Sequence, residues 1–386
     1  MKICLIAPAP PFRGGIAKYC HSLARELEKR HELLLLSYKR QYPALLYGRK
    51  NQIDPGADRC LIQQEFRDLS YDIDSANPLS WRRTTERITA FSPDLVILPW
   101  WVSYWAPMYL YLLRHLNHRG IRTLILCINV FEHEDNPVKK LLTRLVLSRV
   151  PAIIVHSGPE LVTLRMLNPT ADIRKHPLPL FKYPVSATRR EASPLRLLFF
   201  GFVRPYKGLD ILLKAMAMCD DLDVTLKIAG EFWQDKESYL TLIRELGIAS
   251  RVEIVDRYLA DDDMGKTFDE ADLVVLPYRE SKTSGVIATA YGFGKPVLAT
   301  DVGGFHEVVT DGVTGKLVPP GNIRAFSEGI AWFQANREVD FGSNIRRMTE
   351  QCMSWRSLVD MIEELSNKTA PGSRVCHPEP GIEEGP

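Results

Sequence analysis

The sequence has no excess of charge of either sign: 49 Lys and Arg stand against 47 Asp and Glu, a formal net charge of +2. Nucleic-acid binding draws much of its affinity from a basic surplus that displaces counterions, so a dedicated nucleic-acid partner is excluded. Cysteine chemistry is equally thin. The seven cysteines are odd in number and widely scattered, and no two form a C-x-x-C pair. That spacing fits neither a disulfide framework nor a zinc site, and points to a reducing, cytoplasmic compartment. No repeat at solenoid periods is present. MKICLIAP runs directly into Pro10-Pro11 and Gly14-Gly15, too soon for the apolar core of a signal peptide, and Lys2–Ala7 reads as a first strand. The acidic runs Asp221-Leu222-Asp223 and Asp261-Asp262-Asp263 read as a loop and a helix start, where acids favour the dipole, so no catalytic metal is expected. No two carboxylates pair convincingly as the acid and base of a hydrolase.

What is present is an ordinary globular composition, 45% hydrophobic and 25% charged, in 386 residues. Single cores stop growing at roughly 250–300 residues, so two domains are the default. Short apolar runs alternate with amphipathic stretches in both halves. The first series is Ile3–Ala7, Leu33–Ser37, Leu95–Leu98, Thr123–Ile128 and Ala152–His156. The second is Leu195–Phe200, Val224–Ala229, Val252–Val255, Leu273–Leu276 and Pro296–Thr300. Helical patterns such as Ile16–Arg30, Val138–Ser148, Leu209–Met218 and Phe305–Val309 lie between them. This alternation predicts parallel sheets covered on both faces, hence an α/β fold of two Rossmann-like, doubly wound domains. The segment 176–194 is rich in Pro and small residues and reads as a linker. The expected units are 1–180, 190–350, a terminal helix within 352–367 and a disordered tail over 369–386. Leu95–Leu113 carries no charge over 19 positions but contains Pro99 and Pro107. It reads as a strand, a loop and a helix from about Pro107 rather than a membrane span. Trp100, Trp101, Tyr104 and Trp105, with Arg114 and the Tyr38–Tyr42 and Arg49-Lys50 stretches, suggest a basic, aromatic face for sugars or an anionic membrane surface, against plain solvated loops.

Ligands of doubly wound domains bind beyond the carboxyl ends of the strands. After Leu197–Phe200 comes Gly201-Phe202-Val203-Arg204-Pro205-Tyr206-Lys207-Gly208, then a helix. A Gly-opened loop with two cations at a helix N-terminus suits a phosphate, and would stabilise a departing diphosphate. After Leu273–Leu276, Thr283, Ser284 and Gly285 open a second helix, where free N–H groups point outward, although a plain N-cap has the same composition. Pro296–Thr300 ends in Gly303-Gly304 ahead of Phe305-His306-Glu307, a close-approach turn or simply a tight connection. Gly230 and Glu231, after Val224–Ala229, can face sugar or phosphates or form a solvent-facing turn. On the first domain, Gly14-Gly15 precedes a helix without the G-x-G-x-x-G spacing.

Three motifs in this order, G-x-x-R-x-x-K-G, then P-Y…S-G-V, then G-x-G-K-P-V-x-A-T-D-V-G-G-x-x-E, resemble glycosyltransferase family 4, the retaining GT-B enzymes. The resemblance is clearest over 195–320. It implies a nucleotide-diphosphate sugar, UDP- or GDP-linked, bound mainly by the second domain. It also implies Arg204 and Lys207 as the diphosphate pair and Thr283, Ser284, Gly285 and Val286 at the second phosphate site. Gly201, Gly230 and Glu231 fall near the donor, Arg257 and Tyr258 near its base, Gly14 and Gly15 opposite it across the cleft, and Glu307 closes the third motif. No cofactor or metal is implied, and the last helix is expected to cross back to the first domain. The sequence departs from the family's E-x7-E pair: Ser281 and Thr289 hold those positions, with Glu280 one residue off register. It is similar instead to a subgroup with S-G-V and no Glu pair, in which Thr289 makes a neutral ribose contact at best. After Thr123–Ile128, Asn129, His133 and Glu134 match the subgroup's run while Ile128 replaces its first His. His133 is the candidate for orienting sugar hydroxyls or moving a proton, or an ordinary surface His. The expected reaction is retaining transfer of a hexose to a hydroxyl of a polysaccharide or lipid-linked glycan precursor, with peripheral contact at the cytoplasmic membrane face. The alternatives are a catalytically silent GT-B-like subunit, favoured by the missing Glu pair and opposed by Arg204 and Lys207, and a nucleotide-sugar 2-epimerase, whose acid/base set is not found.

Overall fold

The computed structural model describes residues 1–43, 52–54, 65–132, 136–181, 183, 194–233, 235–350 and 352–367, with the backbone alone at 261 and 262. The apolar runs form strands because each buries both faces at once. Ile3 to Ile6, for example, are wholly buried, as in parallel sheets covered by helices on two sides. Seven strands make the first sheet: β1 (Lys2–Ile6), β2 (Glu32–Arg40), β3 (Leu69–Asp74), β4 (Leu95–Trp100), β5 (Arg122–Cys127), β6 (Ala152–Val155) and β7 (Asp172–Lys175), in the order β3-β2-β1-β4-β5-β6-β7. Six make the second: β8 (Leu195–Phe200), β9 (Val224–Ala229), β10 (Val252–Val255), β11 (Leu273–Leu276), β12 (Val297–Thr300) and β13 (Gly315–Val318), in the order β10-β9-β8-β11-β12-β13. Every pairing between these strands is parallel. In both sheets the order reverses at the first strand, β1 beside β4 and β8 beside β11, and those two crevices are where such folds bind ligands.

The strands that sequence reading leaves out are β3, β7 and β13, each at a sheet edge. An edge strand needs no continuous apolar run, and β7, Asp-Ile-Arg-Lys, buries only its isoleucine. The helical pattern at Phe305–Val309 is a single 3-10 turn, Phe305–Glu307. The aromatic segment after β4 requires a larger correction. Trp100 and Trp105 are fully buried and Trp101 nearly so, so they form core, not a surface. Tyr38, Tyr42, Tyr104 and Tyr109 pack their rings around Trp105, and that much ring area gains more from desolvation than from a wet face. Arg49 and Lys50 lie outside the described residues, as do most of the linker and the tail. No helix among the described residues is long and apolar enough to cross a membrane.

The last helix, Trp355–Asn367, buries Leu358, Val359 and Ile362 in the first core, against the helix Gly15–Glu28. Each such side chain contributes about 1.5–3 kcal/mol by leaving water. The chain therefore crosses between domains twice, and the crossings touch: Leu180 N–H donates to Met353 O at 2.8 Å and Trp355 Nε1 to Leu180 O at 2.9 Å.

Candidate functional site

The two crevices face each other across a cavity of about 380 Å³ lined by both domains. On the second domain, β8 ends in Gly201 at φ 94°, where a Cβ would sit 2.9 Å from Lys207 Nζ. The loop turns back through Pro205–Lys207 to Gly208 at φ 67°, whose missing Cβ would lie 2.0 Å from Pro277 O. Only glycine fits these two backbone states without strain. The result is a lysine side chain folded inward. Lys207 is 6% exposed, and the one hydrogen bond of its ammonium among the described residues is to Phe200 O, at 3.4 Å. Burial, and then the nearby Arg204, push its pKa down to about 7, because the ammonium has lost water without gaining an anion. Arg204 does not line the cavity; its guanidinium lies 4.4 Å from the Trp233 ring centroid.

The second phosphate-type loop meets the same space. Ser284 caps the helix Gly285–Gly292, accepting from Ile287 N–H, and Thr283, Ser284, Gly285, Val286 and Thr289 all line the cavity. The Thr289 hydroxyl donates to Gly285 O at 2.8 Å, so toward a ligand it offers lone pairs only. Gly201 and Gly230 are in contact: a Cβ on Gly230 would stand 2.2 Å from Gly201 O. That packing puts Glu231 on the wall of the same cavity as Lys207. Arg257 and Tyr258 complete this side, with Arg257 also paired to Asp263.

Across the cavity stand Gly14, Gly15, Ile128 and Asn129. Glu160, 2% exposed, fixes the segment after β5 by accepting Val130 N–H at 2.8 Å, and burial raises its pKa to about 7. His133, with Glu134 and Asp135, lies outside the described residues. Glu307 does not line the cavity. Its carboxylate accepts Gly158 N–H at 2.8 and 3.0 Å and pairs with Lys175 at 3.1 Å. A carboxylate at the open N-terminus of the helix Gly158–Leu167 is the expected partner of those free amides. Glu307 therefore stitches the domains together beside the cleft.

Sequence reading misses several lining residues. Lys18 and Tyr19 sit one turn into the helix after Gly14-Gly15, and Phe181 and Tyr183 come from the linker. Lys18 Nζ lies 4.7 Å from the Tyr183 ring centroid, and Tyr19 OH is 3.2 Å from His156 Nε2. Burial lowers the His156 pKa to about 4, so this ring is neutral at physiological pH. The helical position of Lys18 was the one available signal; nothing in the linker marks its aromatics. A larger groove of about 1180 Å³ lies along the domain seam between Leu180 and Arg337, and neither Gly201, Gly230 nor Gly285 reaches it. No cluster of three or more His, Cys, Asp or Glu placed to hold a metal occurs among the described residues. The cavity offers cations and helix-terminal amides, which suit an anion.

The comparisons agree with that chemistry. Residues 194–336 match the family model described as glycosyl transferases group 1. The chain is 30% identical over 197 residues to D-inositol 3-phosphate glycosyltransferase of Mycolicibacterium gilvum, covering 48% of this chain and 44% of the relative. It is 32% identical over 117 residues to GDP-mannose:glycolipid 4-beta-D-mannosyltransferase of Xanthomonas campestris pv. campestris, covering 29% and 33%. The chain thus spans less than half the length of these curated relatives. Among solved structures, HepE of Anabaena in complex with UDP superposes with a TM-score of 0.73 at 18% identity, over 94% of this chain and 99% of that one. Sucrose-phosphate synthase of Thermosynechococcus elongatus does so at 0.72 and 18%, over 94% and 98%. These likenesses establish the two-sheet GT-B fold over nearly the whole chain.

Proposed function

We propose that this chain, which has the GT-B fold, is a group 1 glycosyltransferase that moves a hexose from a nucleotide-diphosphate sugar to a hydroxyl acceptor with retained configuration. The observation that carries the reading is Lys207: a buried ammonium, short of acceptors, facing a cavity made by two helix N-termini and both domains. A diphosphate there supplies the missing anion. As the glycosidic bond breaks, charge grows on the leaving phosphate; Lys207 and the amides at Gly285 hold it, and Arg204 adds positive charge from the same loop, turning from Trp233 to reach it. Among the described residues Glu231 is the one carboxylate lining the cavity, so the acceptor hydroxyl attacks from the leaving-group side and its proton passes to the departing phosphate. His133 and Asn129 orient sugar hydroxyls. The donor is a UDP- or GDP-sugar: HepE is named with UDP, and the Xanthomonas relative with GDP-mannose.

The test is calorimetric titration of UDP, GDP and their sugar conjugates into wild type and the Arg204→Ala/Lys207→Ala variant. One nucleotide family should bind, and the double change should weaken it by about 2–4 kcal/mol, as lost charge-assisted contacts do. Binding indifferent to both changes would put the phosphates elsewhere. Turnover by the purified chain separates an enzyme from a silent binding subunit.

The acceptor we favour is a lipid-linked glycan precursor at an anionic, cytoplasmic membrane face. Support comes from three neighbouring helices on one side of the first sheet: Ala106–His118, Pro137–Leu147 and Gly158–Leu167. Val138, Leu141, Val162 and Met166 are more than half exposed there, beside exposed Arg114, Lys140, Arg144 and Arg165. The single acid on the three helices is Glu160, which is buried. Apolar side chains among cations with no exposed acid suit acidic lipid headgroups. Val138 follows the loop that carries Asn129 into the cavity, so this face adjoins the acceptor side.

A further inference from the structure

We propose that Arg13 belongs to the donor site: supplied by the first domain, its guanidinium cancels the charge of Glu231 on the wall of the anion pocket of the second. The proposal rests on the reading of the cavity as a nucleotide-diphosphate site. Arg13 is held in place from its backbone, where its N–H donates to Gln52 O at 3.1 Å and Gly14 follows at φ 103°. Its side chain reaches across the cleft. Nη1 donates to Glu231 Oε1 at 3.0 Å and Nη2 to Oε2 at 3.2 Å, a forked pair that an arginine makes and a lysine cannot. The guanidinium also lies 5.2 Å from the Tyr258 ring centroid. The Arg13 side chain is 6% exposed and that of Glu231 18%. One N–H, at Nε, is buried with no partner among the described residues.

The position of Glu231 makes this pair more than a stitch between domains. Glu231 lines the cavity with Lys207, and the glycine before it touches Gly201, against which the Lys207 ammonium lies. A bare carboxylate there would repel an incoming diphosphate and partly neutralise the cations meant to hold it. Like charges in a partly desolvated cleft repel each other more strongly than they would in water. Arg13 removes that opposition while its own unsatisfied N–H adds to the positive field.

The same ion pair can be broken from either end, and the two ends should act oppositely on the nucleotide. Calorimetric titration of UDP and GDP into wild type, Arg13→Ala, Glu231→Gln and the double variant reads this directly, with thermal melts to confirm folding. Arg13→Ala should weaken nucleotide binding about tenfold or more. Glu231→Gln, which leaves Arg13 uncompensated, should bind as tightly as wild type or tighter. The double variant should recover most of the loss. Equal weakening in both single variants would mean that the pair matters only as a structural bridge, and would overturn the proposal. A double variant as weak as Arg13→Ala would overturn it too, by showing that Arg13 acts on the ligand alone. Wild type that binds neither nucleotide would remove the donor-site reading itself, and this proposal with it.

Discussion

At the scale of single residues, Lys207 shows how burial alters a side chain's titration. Its folded pKa, about 7, lies below its ordinary 10.5. Between these values the unfolded chain holds the proton and the folded one does not. The free protein therefore gains stability as pH rises from about 7 toward 10.5 and loses that gain as pH falls back to about 7, below which this group changes nothing further. A bound diphosphate reverses the cause, since an adjacent anion favours the ammonium. Nucleotide binding at pH 8 should therefore take up as much as about one proton, measured as the dependence of the calorimetric enthalpy on the buffer's ionisation heat. Lys207→Ala should abolish the uptake, and wild type with none would mean that the ammonium is already charged when free. Lys207 is readable in the sequence because its loop has a recognisable order. Arg13 is not, because a lone arginine before two glycines looks like any loop cation until the facing domain is in place. Glu307 shows the opposite failure: a motif glutamate expected at the donor is engaged instead with Gly158 and Lys175.

At the scale of elements, the strand-to-helix turns carry the site, and Gly208 is their tightest point. A methyl group there meets the Pro277 carbonyl, which is backbone and cannot swing aside, and the φ of 67° strains any other residue. Gly208→Ala should cost at least about 1–3 kcal/mol of stability and weaken nucleotide binding as well, because the turn sets Lys207. Urea midpoints with titration of the surviving fold check both, and an unchanged midpoint would mean that the turn relaxes freely. Central elements were readable for a physical reason. Strands buried on two sides must be continuous apolar runs, and helices between them must be amphipathic, so Ile3–Ala7 and Leu195–Phe200 announce themselves. The edges β3, β7 and β13 have only part of their surface to bury, and their sequences say correspondingly little. The tryptophans after β4 mislead for a related reason. Aromatics next to a loop suit a wet interface and a packed core equally well, and here Tyr38 and Tyr109 decide for the core.

For the whole molecule, the question is which surface faces the acceptor's environment. If the helices Pro137–Leu147 and Gly158–Leu167 rest on an acidic bilayer, the protein should sediment with vesicles of anionic phospholipid and not with purely zwitterionic ones. The attachment should weaken as salt rises. Leu141→Glu with Arg144→Glu should release it while nucleotide binding at the cavity, which neither residue lines, stays intact. Equal binding to both vesicle types, or binding untouched by these changes, would assign the face to something else. How the two domains move against each other follows from the paired crossings at Leu180 and Met353. A single linker would leave one domain on a tether, free to twist, slide or swing. Two strands of chain, tied side by side and anchored by the Trp355–Asn367 helix in the first core, act as a door hung on two pins: sliding and twisting are resisted, and what remains is rotation about one axis.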